Sequence, residues 1–177
     1  AHALWHTVAR VRATEPGAHP ALAIAAGHSM GGGAALLAAA RHTGFAAVAT
    51  VAALDTRPSS LRAPARVPAL FVVGSADTVV PPDRTRRLYA AHPAAATWVS
   101  VAGGGHCGVL DASFPRGRGC GAMELPPVEQ RALTVDLLDG WLRATLDGHA
   151  WEPPPGRAVG AERRVGGHFR LQLGAGE

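Results

Sequence analysis

Short apolar runs alternate with helical stretches along most of this chain. From Ala1 to about Ala13, Leu4, Val8 and Val11 recur at helical spacing, and Glu15-Pro16-Gly17 closes the segment. Ala21 to Ala26 is a continuous apolar run and reads as a buried strand. Gly27 to Gly31 reads as a tight turn, and Gly31 to His42 as an Ala/Leu-rich helix with Gly44 at its C-terminal cap. Further strands are expected at about Ala46 to Leu54, at Ala69 to Val73 and at Thr97 to Val101. A helix opened by Pro81-Pro82 runs to about Ala91, since proline is tolerated in a first turn. Pro127 to Leu146 is a long amphipathic helix whose stripe is Leu133, Leu137, Leu138, Trp141, Leu142 and Leu146. The stretches Asp55 to Pro68 and Asp111 to Gly121 read as irregular.

Strands alternating with helices predict an α/β fold built on a parallel sheet, with about four strands here. Residues 1–148 carry this pattern. Residues 149–177 contain Pro153-Pro154-Pro155 and several glycines, and read as a Pro/Gly-rich tail with a short strand at His168 to Leu173. No internal repeat is visible.

Composition narrows the function classes. All 17 basic residues are Arg and the net charge is only +4, with no long basic stripe. Aromatics are 5%, too few to stack bases along a strand, so no nucleic-acid partner is expected. Arg84, Arg86 and Arg87 form the densest basic group and read as a solvated helix face. No stretch approaches the roughly 20 apolar residues of a membrane span. The histidines away from the candidate site show no ligand spacing, so neither a metal nor a cofactor is expected.

The chemistry concentrates in three places. Gly27-His28-Ser29-Met30-Gly31 matches G-x-S-x-G, a turn that lifts a serine hydroxyl above a sheet between a strand and a helix. Bulky residues two positions to either side would clash, and the Met30 N–H at the helix start would donate to an oxyanion. A nucleophilic serine needs a base, and the base needs an orienting carboxylate. Asp77 follows the third strand and His106 the fourth, both at the strand ends where α/β sheets place ligands. Ser29 is therefore the expected nucleophile, Asp77 the acid and His106 the base. Asp55 is the rival acid, after the second strand. His28 reads as structural and Asp111 as a loop residue. Met30, Val79 and Val80 flank the nucleophile and the acid, and are expected to line the acyl pocket.

The run Gly27 to Gly33 and the stretch Asp77-Thr78-Val79-Val80-Pro81 resemble the nucleophile elbow and acid loop of α/β-hydrolases. Within that superfamily they are similar to bacterial cutinase-like polyester hydrolases and to dienelactone-hydrolase-like esterases. The resemblance covers roughly Ala1 to Gly148 and implies a serine esterase that forms an acyl-enzyme, acting on a small-molecule or polymeric ester. Cutinase-like enzymes carry an aromatic residue after the base, where this chain has Cys107. Dienelactone hydrolases use a cysteine nucleophile, where it has Ser29. A general carboxylesterase is the expected activity.

The resemblance also implies a longer sheet, of which this chain supplies the C-terminal half. The missing N-terminal half would bring a second oxyanion donor, and without it the first strand would be an unpaired edge. The connection from Asp55 to Pro68 is too short for a helical lid. The alternative function is a non-catalytic, hydrolase-like fragment that binds a partner.

Cys107 and Cys120 bracket the loop just after His106. A disulfide between them is expected, and it favours secretion or the cell envelope. Two reduced thiols, as in the cytoplasm, and a reactive Cys107 are the other readings.

Overall fold

The computed structural model describes residues 2–19, 22–56, 59–62, 64–111, 119–154, 158–165 and 168–172. In chain order the elements are α1 (His2–Thr14), β1 (Ala23–His28), α2 (Met30–Arg41), β2 (Phe45–Val51), β3 (Ala69–Gly74), α3 (Pro82–Ala91), β4 (Ala96–Val101), α4 (Pro127–Leu146), β5 (Ala158–Val165) and β6 (His168–Gln172). Short 3-10 turns lie at Ser60–Arg62 and His106–Val109.

The strands form one sheet in the order β1-β2-β3-β4-β5-β6. The first four run parallel, with Ala49 opposite Leu70 and Leu70 opposite Thr97. β5 and β6 continue the sheet antiparallel. The apolar strands fit this arrangement, because a parallel strand is covered on both faces. Val48, Phe71 and Val73 pack under α2 and α3 on one face, with Trp5 and Val8 of α1 against the same cluster. Ala47, Ala49, Leu70, Val72, Val99 and Val101 pack under Leu137 and Trp141 of α4 on the other.

α4 spans the expected residues, and two differences elsewhere have physical causes. α1 turns Trp5 and Val8 inward and leaves Leu4 and Val11 exposed. Trp5 stacks on His42 and meets Phe45 edge-on, so the larger ring outweighs the aliphatic stripe. β2 ends at Val51 rather than Leu54, because Ala52 adopts φ +48° and leaves the strand. Gly44 takes φ +94° in the turn between α2 and β2, where Arg12 donates to its carbonyl at 3.0 Å.

The C-terminal segment is more than a tail. Trp151 packs against Gly140 of α4 and joins the core. β6 lies where a strand was expected, but β5 was not anticipated. Glu162, Arg163 and Arg164 hide β5 from a hydropathy reading, and its partners explain it. The Arg164 guanidinium donates to the Ala90 carbonyl at 2.7 Å, near the C-terminus of α3, and Glu162 pairs with Arg86. Residue 21 of the expected first strand, residues 57, 58 and 63 of the irregular connection, residues 112–118 of the Gly/Arg loop and residue 173 lie outside the described residues.

Candidate active site

Ser29 follows the last residue of β1 and precedes the first of α2. Its backbone sits at φ 56° and ψ −124°, a conformation that costs a non-glycine residue on the order of 1–3 kcal/mol. Neighbouring bonds hold it there. The Ser29 N–H donates to Val51 at 2.9 Å, and its carbonyl accepts from Gly32 and Leu54, both at 3.0 Å. A Cβ on Gly27 would lie 2.2 Å from the Gly31 carbonyl oxygen, so the turn closes only over glycine there. Gly31 has open space around it, so of the two flanking glycines only Gly27 is sterically required. Met30 begins α2, which leaves its N–H without an intrahelical acceptor.

Asp77 comes just after β3 and is buried, at 3% exposure. Its Oδ1 accepts the Val79 and Val80 N–H groups at 2.9 and 2.8 Å. Its Oδ2 faces His106 Nδ1 at 2.8 Å. Both carboxylate oxygens are thus used, and the group is fixed in the plane that meets the imidazole. A ring nitrogen that faces a carboxylate carries a proton, so Nδ1–H donates, and in the neutral tautomer Nε2 is the acceptor.

His106 opens the 3-10 turn after β4 and is buried. Its loop crosses the acid turn at close range. The Ala76 N–H donates to the Gly104 carbonyl at 2.9 Å, and a Cβ on Gly74 would lie 2.2 Å from that same oxygen. The segment is held from several sides. Gly105 exchanges two hydrogen bonds with the Gln130 side chain, at 2.9 and 2.8 Å. Arg131 donates to the Leu110 carbonyl at 2.9 Å. A disulfide joins Cys107 to Cys120, with Cα atoms 5.1 Å apart. His28 Nε2–H donates to the His106 carbonyl at 3.0 Å, and the two rings lie 4.5 Å apart. Burial lowers the His28 pKa and the neighbouring His106 adds to this, which favours the neutral ring.

Asp77 and His106 are therefore in direct contact. Ser29 stands one residue from His28, whose ring packs on His106. Asp55, the rival acid, is committed elsewhere. It accepts from the Ser59 hydroxyl at 2.5 Å and from the Ser60 N–H and hydroxyl, each at 2.9 Å. Burial pushes its pKa up, but these bonds outweigh it and hold the carboxyl low. Met30 and Val79 are exposed, at 68% and 37%. Val80 departs from the expected pocket: at 2% exposure its side chain belongs to the core, and its N–H serves Asp77.

His28, expected to be structural, reaches the His106 backbone. One residue near the site escaped the sequence reading: Gln130, buried at 3% exposure. The available signal was its position, seven residues before Leu137 and so on the same helical face as the apolar stripe.

Parallel strands in chain order, flanked by helices on both faces and carrying these groups at their C-terminal ends, place the protein in the α/β class, in the manner of an α/β-hydrolase. The profile of one family, serine hydrolase (FSH1), matches residues 16–107, just over half of the chain and a span that includes Ser29, Asp77 and His106. The chain belongs to this serine hydrolase family. No curated protein matches it.

Proposed function

We propose that the protein hydrolyses carboxylic esters through an acyl-enzyme on Ser29. The Ser29 Oγ attacks the ester carbonyl carbon while its proton passes to His106 Nε2. Asp77 holds the imidazole and stabilises its cationic form. The carbonyl oxygen, now negative, is met by the Met30 N–H at the start of α2. The tetrahedral species collapses, the C–O bond to the alcohol breaks, and His106 returns the proton to the leaving oxygen. Water then attacks the acyl carbon, with His106 again as base, and the acid is released from Ser29. Met30 and Val79, both exposed beside these groups, are the residues we assign to acyl contact.

The observation that carries this reading is the 2.8 Å bond between Asp77 Oδ2 and His106 Nδ1, because it orients the imidazole and, in the neutral ring, assigns the proton to Nδ1 so that Nε2 is the nitrogen able to accept one. Ser29→Ala tests it. Turnover of a nitrophenyl ester should fall by about 10³-fold or more. Near-wild-type hydrolysis by a folded Ser29→Ala protein would remove the assignment.

A further inference from the structure

Gly105 lies where β4 has already ended, so no neighbouring strand serves its backbone. The Gln130 amide takes that place. Its Oε1 accepts the Gly105 N–H and its Nε2 donates to the Gly105 carbonyl. The loop wraps the amide closely, since a Cβ on Gly108 would lie 1.9 Å from Gln130 Oε1. On the other side of His106 the grip comes from β1: His28 Nε2–H donates to the His106 carbonyl. The peptide units before and after the His106 Cα are therefore both fixed by side chains. Those two units set the direction of its Cα–Cβ bond, and hence where the imidazole points.

We infer that Gln130 and His28 are positioning residues that aim the His106 imidazole by clamping its backbone from both sides. This rests on the reading of His106 as the base. An amide can do the work of Gln130 and an ionised carboxylate cannot, because the carboxylate accepts from Gly105 N–H but sets a second oxygen against the Gly105 carbonyl. Neutral His28 suits its part, which requires one N–H donor and no charge beside the base. Among the described residues, the ionisable groups facing this corner are His106 and His28, with Asp77 beyond the imidazole and Arg131 on α4.

The test combines two readouts on folded variants. One is the rate of serine labelling by a fluorophosphonate, which needs a working base. The other is the low-field proton resonance of His106 Nδ1–H against Asp77, which reports the ring without any reaction. Gln130→Glu should label about 10²-fold more slowly at alkaline pH, as a misplaced base does. Its rate relative to wild type should recover as the pH falls and the glutamic acid regains a donor. His28→Gln, which keeps a donor at the Nε2 position, should retain more rate than His28→Phe. The Nδ1–H resonance should persist in His28→Gln and vanish in His28→Phe and in ionised Gln130→Glu.

Wild-type labelling and an unchanged resonance in Gln130→Glu and His28→Phe would overturn the inference. So would a deficit independent of pH and equal in the two His28 variants, which marks packing alone. Loss of the resonance in the variants, together with a wild-type protein that takes no label, would leave the clamp standing and bring down the hydrolase reading instead.

Discussion

His28 and His92 are imidazoles held where charge is disfavoured. Burial lowers both pKa values, with His106 adding to the effect at His28 and Arg164 at His92. Each spends its Nε2–H on a backbone carbonyl, of His106 at 3.0 Å and of Val67 at 2.8 Å. The unfolded chain takes up protons at these positions near pH 6.5, before the folded one does. Stability is therefore full above that pH and declines as the pH falls through the lowered folded values. The urea midpoint should drop between about pH 7.5 and 5.5, a window in which ordinary carboxylates stay ionised. A His28→Gln/His92→Gln double variant should lose most of that drop. A wild-type midpoint that does not move across the window would contradict this.

The element that carries His106 depends on its neighbours more than on its own sequence. It is a 3-10 turn of 4 residues, too short to hold itself, and it is fixed by α4, by the acid turn and by the Cys107–Cys120 bridge. The bridged residues are 13 apart, so constraining the unfolded chain contributes about 3 kcal/mol. Cys107→Ser/Cys120→Ser should lose stability of that order in denaturant titrations and label with fluorophosphonate more slowly. Unchanged stability and labelling would deny the bridge both roles. The spacing of the two cysteines around one loop made the pairing legible in the sequence. The clamp on Gly105 was not legible, because the place of Gln130 on the apolar face of α4 signals burial but not which loop its amide meets.

At the scale of the whole molecule, the parallel core was readable because β1 to β4 are apolar on both faces and are separated by turn residues. Ser29, Asp77 and His106 could be nominated for the same reason: each directly follows such a strand or lies within a few residues of its end. β5 was hidden, because its charged residues make sense only through α3 and β4, which are distant in sequence. The arrangement that follows is a sheet whose strand ends gather a strained serine turn and a bonded carboxylate–imidazole pair. The central claim is that this serine is the nucleophile. Peptide mapping after treatment with a fluorophosphonate tests it most directly. The account predicts a single adduct on the peptide containing Ser29, abolished in Ser29→Ala and strongly slowed in His106→Ala. A folded wild-type protein that takes no adduct on treatment, or takes it on another serine, would contradict it.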